Sequence, residues 1–285
     1  MIKTEQNTLS LVDIVQEHAS SEKLNLPVFP GAAFELQQLL ADDNTSVDQI
    51  AKVIGKDQAM ATQVLKLANS AFFSGWNTVR TIREAILRLG LNHIFNLVVC
   101  TSQQKYYKSP NSTLQKILEV LWKHALCTAI GSKWLVQKLG YRQFADEAFL
   151  SGLLHDIGKL VLTKAIETIQ SEYEDFDLPS ELIDQIFDSM HAEQGNFLME
   201  EWSIPDIYCK IALNHHHEEF DKNNVLLMSV RIVNQVCRKA GISTHPQEQI
   251  DLQELPEVQS LAVKQAVLTE LELVIREAME AEYSG

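Results

Sequence analysis

The amino-acid sequence predicts an all-α protein. Apolar residues recur at helical spacing in almost every segment of the 285-residue chain, and no run shows the sustained alternation that is typical of a strand. Glycines and short polar stretches separate the periodic segments. This punctuation favours a compact arrangement of short helices over a coiled coil.

Capping residues mark two helix starts in the first half of the chain. Ser46 is followed three residues later by Gln49, which is the spacing of a capping box. Thr81 and Glu84 repeat this pattern. Gly90 is placed to end the second helix.

The polar stretch 103–112 predicts a boundary between two subdomains. After it, a long helix is predicted from about Leu114 to Leu139, with Gly140 ending it. A last helix is predicted from about Gln259 to Ala281. Its apolar positions are Leu261, Ala262, Ala266, Leu268, Leu271 and Val274. This helix is expected to pack on the body of the protein or on a second copy.

Composition argues against several classes of protein. The formal net charge of -14 repels phosphate backbones, so direct binding of nucleic acid is not expected. No segment reaches the roughly 18 apolar residues of a membrane-spanning helix, and the polar N-terminus lacks the apolar core of a secretion signal. The chain is therefore expected to be cytoplasmic. Cys100, Cys127, Cys209 and Cys237 lie far apart in apolar segments, which predicts reduced core thiols.

His155 and Asp156 are the most informative pair of residues. They lie side by side in GLLHDIGKL, residues 152–160, which predicts an apolar helix that contains both and ends near Gly158. Buried carboxylates are costly unless they are paired or coordinate a cation, and both side chains are standard ligands of Zn, Fe and Mn. The pair predicts a metal site or the remnant of one. Lys159 is expected to lean over it as a phosphate-binding cation.

Further histidines are predicted to face the interior. His124 lies on the inward stripe of the long helix, and the next helix directs His191 inward beside Gly195. His215 and His216 follow that helix. A single inward histidine is more often a hydrogen-bonded core residue than a ligand. Several of them together favour a site.

The order of these residues resembles the ligand series of the HD superfamily of metal-dependent phosphohydrolases, and more closely that of its HDOD branch. The similar segments lie within roughly residues 26–241 and read LPVFPGA, QVLKLANSAFF, TIREAILRLGL, GLLHDIGKLVL and HAEQGNFLMEEWSIP. The resemblance implies one or two divalent ions, of Fe, Zn, Ni, Co or Mn. The implied metal ligands are His124, His155, Asp156, His191, His215 and His216.

The resemblance also implies a domain organisation and a role. The implied units are an N-terminal segment 1–20, an N-terminal helical lobe 21–106, an HD-type helical bundle 113–242, and a linker with a C-terminal helix 243–285. The implied role is bacterial signal transduction, often beside cyclic dinucleotide signalling. Catalysis is undemonstrated or lost in many members of the branch.

The sequence departs from the catalytic pattern of the superfamily. Asn234 stands where the HD series closes with an aspartate, and the run HHHEEFDKNN lacks the Gly-Tyr-Pro signature of the related phosphodiesterases. A site with a single matched carboxylate is expected to favour imidazole-tolerant Fe, Zn, Ni or Co over hard, oxygen-preferring ions. Asn234 is left as a candidate substitute ligand. Whether His217 replaces a neighbour in the histidine pair stays open.

Three interpretations of this pattern remain open. The one favoured by Asn234 and the missing signature is a signalling protein that acts as a binding or regulatory module with a partly retained metal-phosphate site. The alternative is an active phosphohydrolase or phosphodiesterase acting on nucleotides or cyclic dinucleotides. The third is purely structural, with the histidines hydrogen-bonded to one another. The expected partners are signalling proteins, a phosphate-containing small molecule and a second copy of the chain, without nucleic acid or membrane.

Overall fold

The computed structural model describes residues 11–19, 31–40, 42, 44–69, 78–173 and 178–283. Within these ranges every regular element is helical and none is a strand, which confirms the all-α prediction. The polar N-terminal segment 1–10 and the stretches LPVFP and SAFF lie outside the described residues. No helix in the described part of the chain has both the length and the apolar character needed to cross a membrane.

The capping patterns predict where two of the helices before residue 105 begin. The helices in this part of the chain are α1 (Leu11–Ala19), α2 (Gly31–Leu40), α3 (Val47–Gly55), α4 (Gln58–Ala68), α5 (Ile82–Leu89) and α6 (Leu91–Gln104). The capping box at α3 is complete, because Ser46 Oγ and Gln49 Oε1 each accept the other residue's backbone N–H. At α5, Thr81 Oγ1 accepts from Glu84 N as predicted. Glu84 Oε2 instead accepts from the N–H of Arg80, so the second box is only half formed.

The helices after residue 110 form a bundle around α7. They are α7 (Ser112–Lys138), α8 (Ala145–Leu154), α9 (Ile157–Glu172), α10 (Ser180–Glu201), α11 (Asp206–Asn214), α12 (Val225–Lys239), α13 (Pro256–Ser260) and α14 (Gln265–Tyr283). Short 3₁₀ turns lie at Arg142–Phe144 and Leu252–Glu254. α7 matches the predicted long helix, and Gly140 follows it with a φ of 92°, a left-handed conformation that favours glycine.

Buried faces hold the bundle together. α7 packs against α8, α12 and α14, and α9 packs against α10. The inward stripe predicted for α7 is buried, including Leu121, His124 and Thr128. The four cysteines are free and buried, which confirms the prediction of core thiols.

The prediction that His155 and Asp156 lie inside one helix is wrong. α8 ends at Leu154, and His155 is its C-cap residue. Asp156 immediately precedes Ile157, the first residue of α9. Apolar residues continue on both sides of this junction, so the periodicity of the sequence could not reveal the break.

The prediction that Gly158 ends a helix is wrong. This glycine instead lets two helices come close together. It lies in the first turn of α9, and a Cβ there would lie 1.9 Å from the carbonyl oxygen of His191 on α10. Gly152 has the same role on α8, where a Cβ would lie 2.5 Å from the carbonyl oxygen of Thr128 on α7. These two close approaches hold the junction between α8 and α9 in the space between α7 and α10.

The predicted C-terminal helix consists of two helices. α13 ends at Ser260, and Ala262 then adopts a left-handed φ of 50° before α14 begins at Gln265. The buried residues of α14 are Leu268, Leu271, Ile275 and Ala278. Ala262 and Ala266 are exposed, so the predicted apolar face is wrong at these positions. α14 packs on α7 and α12, which is packing on the body of the protein.

Candidate metal centre

The structure brings together the histidine and aspartate side chains of the predicted ligand set. Their candidate ligand atoms form two groups that share Asp156, and within each group these atoms all lie within 4.8 Å of one another. The first group consists of His124, His155 and Asp156. The second consists of Asp156, His191, His215 and His216.

Backbone carbonyls orient the two rings of the first group. Nδ1 of His124 lies 2.7 Å from the oxygen of Ile242, and Nδ1 of His155 lies 2.8 Å from the oxygen of Gly152. A carbonyl oxygen only accepts hydrogen bonds, so Nδ1 carries the proton in each ring. When the ring is neutral, Nε2 keeps a bare lone pair.

His191 and His215 in the second group are oriented in the same way. Nδ1 of His191 lies 2.5 Å from the oxygen of Phe187, and Nδ1 of His215 lies 2.7 Å from the oxygen of Ala212. All four rings therefore share one tautomer. It is the tautomer that metal-binding histidines adopt when a carbonyl accepts from the other ring nitrogen.

The four Nε2 atoms converge on the carboxylate of Asp156. Oδ2 lies 3.5 Å from Nε2 of both His124 and His155. Oδ1 lies 3.3 Å from Nε2 of His215 and 3.5 Å from Nε2 of His191. Within each pair the Nε2 atoms also face each other, at 3.3 Å in the first group and 3.4 Å in the second. Asp156 thus presents one oxygen to each pair of imidazoles.

Burial keeps these imidazoles neutral at pH 7. It lowers the pKa of His155 to about 3 and the pKa of His215 well below its ordinary value. It lowers the pKa of His124 and His191 as well. A neutral ring whose proton is on Nδ1 cannot donate from Nε2, so the contacts between Nε2 atoms are not hydrogen bonds. Asp156 Oδ1 is likewise buried without a hydrogen-bond partner among the described residues.

This set of acceptors fits a divalent transition metal. Buried lone pairs that face one another are costly unless a cation lies among them. Imidazole nitrogens with one carboxylate suit Zn, Fe, Ni and Co, whereas Mn and Mg favour oxygen-rich sites. The group around His124 and His155 would hold one ion. The group around His191, His215 and His216 would hold another, with Asp156 between the two.

Lys159 is tied to the site instead of leaning freely over it. Its Nζ donates to Oδ2 of Asp156 at 2.6 Å, and both residues are buried. Burial alone would raise the pKa of Asp156, but the ammonium of Lys159 and neighbouring groups outweigh burial and hold this pKa well below its ordinary value. Asp156 is therefore ionised at neutral pH, and Lys159 balances its charge.

His216 lies at the exposed rim of the second group. Its ring centroid is 4.0 Å from that of His215. Desolvation by the surrounding protein lowers the pKa of His216 to about 4. His217 is exposed and belongs to neither ligand group in the described part of the chain. The structure therefore places His216, and not His217, beside His191.

A cavity of about 350 Å³ opens on the second group. Its lining residues are Lys159, Asp188, His191, His216, Asn234, Arg238, Ser243 and His245. Asn234, the candidate substitute ligand, is 4% exposed on this wall. Arg238, Ser243 and His245 were not among the residues predicted from the sequence. The four-residue step from Asn234 to Arg238 on one helix is the signal that could have found Arg238.

Arg231 fixes the loop that carries the histidine pair, and it too was not predicted from the sequence. Its Nη1 donates to the carbonyl oxygens of His215 and His217 at 2.9 Å and 2.8 Å. Its Nε donates to the buried carboxylate of Glu257, on α13. No periodicity links Arg231 to Glu257 in the sequence. Their pairing arises from the tertiary packing of α12 against α13.

The helical fold and the histidines gathered around one aspartate are features of an HD-type protein. Residues 26–218 match the family model of the HDOD domain, and the chain belongs to the HDOD family. The matched residues include the ligand set from His124 to His216. Asn234, Arg238, Ser243 and His245 lie beyond them, so part of the cavity wall comes from outside the matched region.

Several solved structures share the fold. An HDOD domain protein of unknown function from Geobacter sulfurreducens is 22% identical with a TM-score of 0.73, over 95% of this chain and 96% of its own. A protein of Shewanella amazonensis SB2B, provisionally named a metal-dependent phosphohydrolase, is 18% identical with a TM-score of 0.78, over 96% of this chain and 98% of its own. A protein of Marinobacter aquaeolei VT8, provisionally named a signal transduction protein, is 21% identical with a TM-score of 0.67, over 92% of this chain and 60% of its own.

A curated relative is much longer than this chain. An uncharacterized protein of Treponema pallidum (strain Nichols) is 27% identical over 239 residues, which cover 79% of this chain and 44% of the relative. The chain thus spans less than half the length of the curated relative that it matches.

Proposed function

We propose that this protein is a regulatory module of bacterial signal transduction whose HD-type site binds a divalent metal ion and a phosphate-containing ligand. One observation carries the metal part of this proposal. Four buried, neutral imidazoles direct their Nε2 lone pairs at the two oxygens of Asp156. A cation among these atoms removes the cost of leaving them buried without hydrogen bonds.

The cavity beside the second group supports the ligand part. Lys159 and Arg238 bring positive charge to its wall, and Asn234 is neutral where the superfamily pattern has an aspartate. An ion held by neutral imidazoles and a single carboxylate keeps a net positive charge, which attracts an anion. When bound, such an ion acts as a Lewis acid that polarises a phosphoryl oxygen.

A regulatory role is favoured because the converging groups offer no free base. Each Nε2 atom faces the ion-binding space, and Asp156 is already paired with Lys159. A positioned group that accepts a proton from the attacking water accelerates hydrolysis. The neutral amide of Asn234 cannot accept that proton.

Metal analysis of protein purified without chelators tests the proposal. The wild-type chain is expected to retain at least one Fe, Zn, Ni or Co ion per chain. The variant His155→Ala is expected to lose most of it. The matched control His217→Ala removes an exposed imidazole outside both groups and is expected to keep the ion. A wild-type protein with only a small fraction of an ion per chain would refute the proposal.

An active phosphohydrolase is the second candidate function. Two observations favour it: Asp156 is shared by both ligand groups, as in a dinuclear site, and Asp188 places a carboxylate on the cavity wall. The test is turnover of nucleotides and cyclic dinucleotides by the metal-loaded protein. Turnover far above that of His155→Ala would establish a hydrolase. If wild type and His155→Ala both turned over these substrates at near-background rates, the proposed regulatory role would stand.

We also propose partners and a cellular compartment for the protein. Signalling proteins are the proposed partners, in line with the name of the Marinobacter relative. The free, buried cysteines fit a reducing compartment such as the bacterial cytoplasm. Self-association through the C-terminal region stays a prediction that gel filtration at several protein concentrations can check.

A further inference from the structure

Three side chains on the cavity wall have the chemistry of an anion site. Asn234 and Arg238 lie one turn apart on α12, and Lys159 reaches the same cavity from α9. Each of them can donate hydrogen bonds, and two of them are cations. The ammonium of Lys159 has three N–H donors, and one of them is engaged by Asp156.

Asn234 presents a side-chain amide to the cavity. The residue is 4% exposed as a whole and is one of the lining residues. A ligand in the cavity can therefore reach this amide. An amide N–H can donate to a phosphate oxygen. An aspartate at the same position would repel that oxygen.

Two hydrogen bonds hold the side chain of Arg238 in place. Its Nε donates to the carbonyl oxygen of His245 at 3.2 Å, and its Nη2 donates to Oε1 of Gln247 at 3.2 Å. These bonds leave other guanidinium N–H groups for a ligand, and no carboxylate pairs with Arg238 within the described residues. A fixed guanidinium fork matches two oxygens of a phosphate.

One carboxylate lies among the lining residues, and an imidazole stands beside it. Oδ1 of Asp188 lies 3.7 Å from Nε2 of His245. The same Nε2 lies 3.5 Å from Oδ1 of Asp184, so this imidazole stands between two carboxylates. Asp188 can also accept from a hydroxyl group of a ligand.

We propose that Asn234, Arg238 and Lys159 form a subsite that holds the phosphate of a small phosphorylated ligand beside the metal centre. The inference rests on the proposed function and deepens it, because it assigns Asn234 to the ligand and not to the metal. Small-molecule sites span roughly 300–1000 Å³, and this cavity of about 350 Å³ is near the lower limit. A phosphomonoester of about mononucleotide size is the ligand class that we assign to this volume.

Calorimetric titration of the metal-loaded 285-residue chain tests the subsite, with inorganic phosphate and AMP as the probes. Arg238→Gln removes charged donors, and Asn234→Asp introduces a repulsive charge, so each is expected to weaken binding of both probes by about tenfold or more. The matched control Arg276→Gln makes the same change at an exposed position of α14 and is expected to bind like wild type. Arg238→Lys keeps the charge without the fork and is expected to fall between wild type and Arg238→Gln.

The melting temperature and metal content of every variant are measured first, which separates the subsite from the metal centre. If wild type holds metal but Arg238→Gln, Arg238→Lys and Asn234→Asp bind phosphate as wild type does, the subsite is wrong and the proposed function stands. No phosphate binding by metal-loaded wild type at millimolar concentration also overturns the subsite. Tighter binding of a cyclic dinucleotide than of AMP overturns the ligand class. Wild type without metal refutes the proposed function itself.

Discussion

Nε2 of His124 faces Nε2 of His155 at 3.3 Å, although the Nδ1 proton of each ring is already donated to a backbone carbonyl. Neither Nε2 has a proton to share, because burial lowers the pKa of both rings. Two lone pairs in contact are stabilised when a cation lies near both. This relationship favours a metal centre over a cluster of histidines hydrogen-bonded to one another.

Replacing Gly158 by alanine is expected to damage both the fold and the site. The added Cβ would lie 1.9 Å from the carbonyl oxygen of His191 and would push α9 away from α10. We expect the free energy of unfolding to fall by about 3 kcal/mol or more, since overpacking against backbone leaves little room to relax. Chemical denaturation measures this loss. Gly55→Ala, at a helical glycine with nothing within 4 Å, is the control and should be neutral or stabilising.

The pair formed by Arg231 and Glu257 is expected to stabilise the loop of the histidine pair. Arg231→Met leaves the buried carboxylate of Glu257 unpaired, so a loss of about 3 kcal/mol in unfolding free energy is expected. Metal affinity should fall as well, because the carbonyls of His215 and His217 lose their donor.

The matched control for this pair is Lys210→Met. Lys210 pairs with Asp206 at 3.2 Å, but the two side chains are 70% and 87% exposed. Such surface pairs contribute less than about 1 kcal/mol. If Arg231→Met and Lys210→Met had equal effects on stability and metal affinity, the loop would not depend on Arg231.

The stability of the metal-free protein is expected to fall as the pH is lowered from 7 towards 4. Burial sets the folded-state pKa of His155 at about 3, whereas an unfolded histidine titrates at about 6.5. The unfolded chain therefore binds more protons below pH 6.5, and acid favours it. His124, His191 and His215 shift in the same direction.

Melting temperatures measured in chelator across this pH range check the prediction. The melting temperature of His155→Leu is expected to fall less steeply with decreasing pH than that of wild type, because the substitution removes one group that takes up a proton on unfolding. The control His217→Leu, at an exposed position, should keep the slope of wild type. A melting temperature that is constant between pH 7 and pH 4.5 would contradict the account of neutral, buried imidazoles.

The C-terminal helix α14 is expected to contribute to the stability of the bundle. Leu271 is fully buried against the body of the protein, whereas Leu273 is 52% exposed on the same helix. Leu271→Ala is expected to cost about 2–5 kcal/mol of unfolding free energy. Leu273→Ala should change it by less than about 0.5 kcal/mol. Equal effects in urea denaturation would show that α14 does not pack as described.

Local signals in the sequence predicted much of the fold. The capping box of Ser46 and the stop at Gly140 are short-range features, and both occur where they were expected. The break between Leu154 and Ile157 was missed because apolar residues continue across it. The break at Ala262 was missed because no glycine or proline marks that left-handed residue.

Only those site residues whose side chains have a characteristic chemistry could be predicted from the sequence. Histidines and an aspartate in apolar segments are conspicuous, and the structure brings them together. Arg231 and Arg238 resemble ordinary surface cations in the sequence. The role of Arg231 depends on where α12 packs, which no local spacing encodes, whereas the four-residue step from Asn234 could have indicated Arg238.

The most direct test of the metal centre is anomalous scattering from crystals of the 285-residue chain, grown with Zn²⁺ and measured on both sides of the zinc absorption edge. We predict a peak within bonding distance of Nε2 atoms and of the Asp156 carboxylate, in one or both of the groups that share this residue. Crystals of a zinc-loaded protein whose anomalous peaks all lie away from Asp156 would contradict the account.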